Sequence, residues 1–128
     1  MLQRIKVLLL DNAIYFALLI TIAIAFLSLL KLSIPDVSIP SSDKLGHIIA
    51  YFFLTVSWLY VFVQKQEFSR FAIYSIVGCF IYGIVIEVLQ TTITSYRTAS
   101  YLDILANSTG IILAVLTFHL FEKKIRLI

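Results

Sequence analysis

Residues 71–89 read FAIYSIVGCFIYGIVIEVL, a stretch in which Glu87 is the single charged side chain. An α-helix of roughly 20 apolar residues is long enough to cross the hydrocarbon core of a bilayer. Runs of similar length and composition lie at residues 13–30, 45–63 and 101–121. The sequence therefore predicts an all-α membrane protein, a bundle of four transmembrane helices that forms a single domain over residues 1–128.

The composition of the whole chain agrees with this prediction. Hydrophobic residues make up 61% of the 128 residues and charged residues 13%, which is more apolar and less charged than a soluble domain. A small soluble fold cannot bury that much apolar surface, because too much of a small domain lies at its surface. The lone cysteine, Cys79, excludes an intrachain disulfide and a cysteine metal cluster.

The first apolar run has one feature of a cleaved signal peptide. Ala23, Ile24 and Ala25 have the small-x-small pattern of a signal-peptidase site. The run nevertheless stays apolar as far as Leu30, where a signal peptide turns polar. We therefore expect an uncleaved first helix.

The distribution of Lys and Arg predicts the orientation. With four spans, the two termini and the middle connection share one side of the membrane, and seven of the ten Lys and Arg residues fall there: Arg4, Lys6, Lys65, Arg70, Lys123, Lys124 and Arg126. Basic residues concentrate on the cytoplasmic side. We therefore expect a multi-pass protein of the cell membrane with both termini cytoplasmic. The net charge of +3 then reflects orientation, and nucleic acid is excluded as a partner.

Polar residues of the spans gather at the opposite, outer end. Residues four apart share a helix face, so Asp43, His47 and Tyr51 lie on one face of the second span. Glu87 closes the third span and Asp103 opens the fourth. The predicted polar pocket consists of Asp43, Lys44, His47, Tyr51, Glu87, Gln90, Arg97, Asp103 and Asn107.

This polar set has a functional and a structural interpretation. A lone charge one or two turns below the membrane boundary costs on the order of 1–3 kcal/mol, so the side chains should face the interior and pair. Interhelical hydrogen bonds could simply hold the bundle together. Asp43 and Asp103 also lie at helix starts, where a carboxylate can act as a cap. Charged groups are a costly way to join helices, which favours the functional interpretation.

The order of these residues is similar to a known pattern. Four pieces within about residues 41–115 resemble the VanZ-like family of bacterial membrane proteins: Asp43-Lys44-x-x-His47-x-x-x-Tyr51, Gly83-x-x-x-Glu87-x-x-Gln90, Arg97, and Asp103-x-x-x-Asn107-x-x-Gly110. The chain departs from the family in having no proline just before Arg97, and Ala114 where a glycine is common. The resemblance implies a VanZ-like transmembrane domain and a link to resistance to the glycopeptide antibiotic teicoplanin.

Three functions follow as hypotheses. The first is a protein that binds or modulates an anionic cell-envelope lipid, a headgroup or a lipid-linked precursor, with Lys44, Arg97 and protonated His47 facing phosphate. The second is an enzyme on a lipid-linked substrate, in which His47 acts with Glu87 or Asp103, or in which carboxylates and His47 hold a hard metal. The third is a structural or interaction protein. The sequence itself assigns no cofactor, no metal, no catalytic residue and no protein partner.

Overall fold

A computed structural model of the chain describes residues 1–29, 40–63, 65, 67–93 and 101–127. The described part consists of five helices and contains no strand: α1 (Leu2–Asp11), α2 (Ala13–Leu29), α3 (Pro40–Phe62), α4 (Phe68–Ile93) and α5 (Tyr101–Leu127). Helices are expected because hydrocarbon offers no hydrogen bonds, so each backbone N–H and C=O must be satisfied within its own segment.

Three helices, α3, α4 and α5, are each long and apolar enough to cross a membrane. The fourth span is made differently. Helix α2 has only 17 residues, and it passes the same test only together with α1, from which it is bent by 51°. The chain is therefore an all-α membrane protein with three to four spanning helices.

Helix α1 was not predicted from the sequence. It buries none of its residues, and the break that follows is capped locally, since the Asn12 side-chain amide donates to the Leu8 carbonyl at 2.7 Å. Arg4 and Lys6 interrupt its apolar residues, and Asp11 and Asn12 separate it from the first long apolar run, which begins only at residue 13.

The spanning helices also extend beyond the apolar runs. Helix α3 begins at Pro40, five positions before the expected start, because proline is well suited to the first helical position. Helices α4 and α5 continue to Ile93 and Leu127. The expected ends followed hydropathy, whereas a helix can continue into the headgroup region, where water satisfies its polar groups.

Successive spans run in alternating directions. The ends of α2 and α4 meet, since Gln90 Nε2 donates to the Ser28 carbonyl at 2.8 Å. The starts of α3 and α5 meet at the same end of the bundle, where Lys44 pairs with Asp103. We call this the polar end. Helix α3 makes its most extensive contact with α5, while α2 packs on α3 and α4.

Apolar packing fills the rest of the interior. A central cluster is formed by Ile24, Tyr51, Leu54, Cys79 and Ile111, so α2, α3, α4 and α5 all contribute to it. A second cluster closes the bundle opposite the polar end, and it contains Leu59, Val63, Phe68 and Phe118, with Leu10 of α1 against it. Among the described residues, the buried carboxylates and amides lie at the polar end, whereas the buried hydroxyls of Thr55 and Ser75 lie within the rest of the bundle.

Candidate functional site

The polar end contains a layer of buried ionisable and amide side chains. Glu87 and Gln90 of α4 are each 2% exposed, and Asp103 and Asn107 of α5 are 7% and 3% exposed. His47 enters the same layer from α3, with 12% of its side chain exposed. Burying two carboxylates at membrane depth is unfavourable unless cations and hydrogen bonds surround them, so the composition of the layer matters.

Lys44 supplies one of those cations. Its ammonium forms an ion pair with Oδ1 of Asp103, which joins the first turns of α3 and α5. The Lys44 side chain is 31% exposed, against 10% for that of Asp103. The pair therefore has a buried anion and a cation at the rim of the layer.

His47 is oriented by the helix beside it. Its Nδ1 lies 2.9 Å from Oδ1 of Asn107, and an amide oxygen can only accept, so Nδ1 carries the proton and donates. The other ring nitrogen, Nε2, lies 4.0 Å from Oδ1 of Asp103. One turn of α5 thus contacts both nitrogens of the imidazole, through Asp103 and Asn107.

Glu87 brings a third helix, α4, to the site. One ligand atom from each of His47, Glu87 and Asp103 lies within 4.8 Å of the other two. A histidine between two carboxylates can serve in proton transfer or in binding a cation. These three residues, from α3, α4 and α5, are called the triad below.

Tyr51 lies one turn along α3 from His47 and is 2% exposed. Its ring covers Gly83 of α4, since a Cβ atom at Gly83 would lie 3.1 Å from both Tyr51 Cε1 and Asn107 Nδ2. Its hydroxyl is buried and makes no hydrogen bond to the described residues. Gly83 thus makes room for two site residues, a role the sequence signalled only by a small residue one turn before Glu87.

Not every predicted residue joins the triad. Gln90 donates to the carbonyl of Ser28, so at least one of its bonds ties α4 to α2. The Asp43 side chain and all of Arg97 lie outside the described residues. The structure thus brings together Lys44, His47, Tyr51, Glu87, Asp103 and Asn107 at the polar end, and their work as a pocket stays a prediction.

Comparison with known proteins gives the family. The VanZ/LLP1 family model matches residues 8–122. The chain is also similar to a protein of the fission yeast Schizosaccharomyces pombe, uncharacterized protein C11E3.10, with 32% identity over 121 residues that cover 90% of this chain and 73% of the yeast protein. The similarity therefore extends beyond bacteria. No solved structure matches the chain. With nearly its whole length matched, the chain belongs to the VanZ/LLP1 family.

Proposed function

We propose that this protein binds the phosphate group of an anionic membrane lipid at its polar end. The observation that supports the proposal most is the position of Lys44, whose ammonium lies at the rim of a buried charged layer with 31% of its side chain exposed. A flexible ammonium at that depth can reach headgroup phosphate, while its apolar stem stays against the bundle.

The acids of the layer fit this function as orienting groups. Asp103 holds the Lys44 ammonium and lies beside His47. A phosphate that enters between Lys44 and protonated His47 accepts charge-assisted hydrogen bonds, which are stronger than neutral ones. Arg97, in the adjoining connection, would add a planar guanidinium suited to bidentate phosphate contact.

The distribution of Lys and Arg favours one side of the membrane for the polar end. Seven of the ten Lys and Arg residues lie on the side opposite the polar end, which favours an outward-facing layer and cytoplasmic termini. The lipid would then come from the outer leaflet of the cell membrane. Family membership carries a loose link to glycopeptide resistance, and a change in anionic envelope lipids is one physical route to it. The fungal relative favours a phospholipid headgroup over a precursor restricted to bacteria.

The test measures binding of an anionic and a neutral lipid by the wild type and by variants that lack single positive charges. Full-length protein in detergent would be titrated with phosphatidylglycerol and with phosphatidylcholine, and binding read by native mass spectrometry. We expect preference for phosphatidylglycerol, lost in Lys44→Ala and Arg97→Ala, and poorly restored by Arg97→Lys because a point charge cannot replace the guanidinium fork. Lys124→Ala removes the same charge from the other end of the bundle and should bind normally. Equal binding of both lipids by the wild type would refute the proposal.

A second candidate, an enzyme acting on a lipid-linked substrate, is favoured by one observation. In the triad, His47 lies among two buried carboxylates, an arrangement suited to general acid–base chemistry. Release of phosphate or headgroup from lipid-linked substrates by the wild type, and none by His47→Ala, would establish it. If neither protein turns over any lipid while phosphatidylglycerol binding persists, binding is the function.

A further inference from the structure

The triad has the geometry of an incomplete coordination shell. Its ligand atoms lie within 4.8 Å of one another and come from three different helices. Two ligands at about 2.1 Å from one ion are at most about 4.2 Å apart, so side-chain movements of about 1 Å would bring the set to bonding distance. Bundles commonly form metal sites in this way, from inward-facing carboxylate and histidine side chains on neighbouring helices.

The orientation of His47 supports a ligand role independently. Because Nδ1 donates to Oδ1 of Asn107, it is Nε2 that carries the lone pair in the neutral imidazole, and Nε2 lies 4.0 Å from Asp103. Metal-bound histidines usually donate their other ring N–H to an oxygen in this manner, which fixes the tautomer and the ring orientation. Asn107 would therefore be the outer-shell partner of a metal-bound imidazole.

A third observation comes from Tyr51. Its hydroxyl is buried and makes no hydrogen bond within the described part of the chain, and its ring lies beside Asn107 against Gly83, one turn from Glu87. Leaving such a group unsatisfied costs roughly 1–3 kcal/mol, so buried hydroxyls usually have a partner. A water molecule on an ion held by the triad would supply one.

We propose that His47, Glu87 and Asp103 bind a divalent transition-metal ion such as Mn²⁺ or Zn²⁺. One imidazole with two carboxylates suits these ions, whereas Mg²⁺ keeps its waters and prefers oxygen ligands. Three protein ligands leave coordination positions open for water or a phosphate oxygen. Lys44 pairs with Asp103, and it is the cation that the metal ion would displace.

This inference deepens the proposed phosphate binding. A metal ion bound by the triad would balance the negative charge of both carboxylates. It would also leave a coordination position for an oxygen of lipid phosphate, beside the displaced Lys44. The ion-binding claim is tested without lipid, so each claim can fail while the other stands.

The experiment is a Mn²⁺ titration of full-length protein in detergent, followed by electron paramagnetic resonance of free and bound ion. We expect one Mn²⁺ per chain and a higher melting temperature with the ion present. Affinity should fall more than about 100-fold in His47→Ala and Glu87→Gln, and about 10- to 100-fold in Asn107→Ala. Lys44→Met should bind Mn²⁺ more tightly, because the competing ammonium is gone.

His119 provides the matched control. It is the other histidine of the chain, its side chain is 80% exposed, and Glu122 is 3.9 Å away. His119→Ala should bind Mn²⁺ as the wild type does. The proposal is overturned if Mn²⁺ does not bind, if His119→Ala loses the ion while His47→Ala keeps it, or if folded Glu87→Gln, checked by its melting curve, binds normally.

Discussion

Gly110 of α5 lies against the backbone of Ile48 in α3, so closely that a Cβ atom at Gly110 would collide with the Ile48 carbonyl oxygen. The same atom would also lie 3.1 Å from the backbone nitrogen of Phe52. The tight approach of these two helices brings Lys44 to Asp103 and His47 to Asn107. Small residues commonly permit such close packing between membrane helices.

Gly110→Ala should therefore destabilise the protein by about 1–3 kcal/mol, the range for overpacking a close contact. Unlike a side-chain tip, a backbone carbonyl cannot move aside without shifting the helix. The measurement is the free energy of unfolding in detergent. Gly78→Ala is the control, because nothing lies within 4 Å of its added Cβ, and it should be neutral or slightly stabilising. Equal losses in the two variants would remove the special role of Gly110.

Removing Lys44 and removing Asp103 should lower the free energy of unfolding by unequal amounts. Lys44→Met leaves a carboxylate that is 7% exposed, so the loss should approach the ~3–5 kcal/mol of a halved buried pair. Asp103→Asn leaves an ammonium at the rim that can turn to water, so the loss should stay near 1 kcal/mol or below. The measurement is the free energy of unfolding of the two single variants and the double variant, with a metal chelator present. The single variants give the two losses, and the cycle gives the coupling between Lys44 and Asp103. If Asp103→Asn is the more damaging change, the assignment of buried anion and rim cation is wrong.

Topology gives a prediction that is independent of the site. Reporter fusions after Lys65 and at the C-terminus should report a cytoplasmic location, and fusions near Asp36 and Arg97 an external one, because seven of ten basic residues lie on the first side. Reversal at all four positions would place the polar end in the cytoplasm, so that the lipid would come from the inner leaflet.

Much of this fold is predictable because lipid imposes one strong constraint. Continuous apolar runs locate the spans, and the alternating direction of successive spans places His47, Glu87 and Asp103 at one end. Their partners were not predictable. Which side chains pair depends on rotation and separation of helices, and these follow from contacts such as that of Gly110 with Ile48. Helix α1 was missed for another reason, since Asp11 and Asn12 separate it from the apolar run that begins at residue 13.

Glu87→Gln separates a functional carboxylate from a structural one. The amide keeps the volume and one acceptor oxygen, replaces the other oxygen by an NH2 donor, and removes a charge from a residue that is 2% exposed. Unfolding free energy should be unchanged or higher, because neutralising a buried charge relieves its desolvation cost. Preference for phosphatidylglycerol should fall, since Glu87 no longer helps orient the cations or hold an ion. A variant that is stable and keeps the wild-type preference would make the polar layer a structural feature.

The most direct measurement is a crystal structure of the protein grown with phosphatidylglycerol, in which the phosphorus atom can be located. We predict headgroup phosphate at the polar end, with an oxygen within about 4 Å of Lys44 Nζ, the range of a charge-assisted contact. Phosphate found only at the opposite end, beside Lys123 and Lys124, with protein side chains alone filling the space around His47, Glu87 and Asp103, would contradict the account.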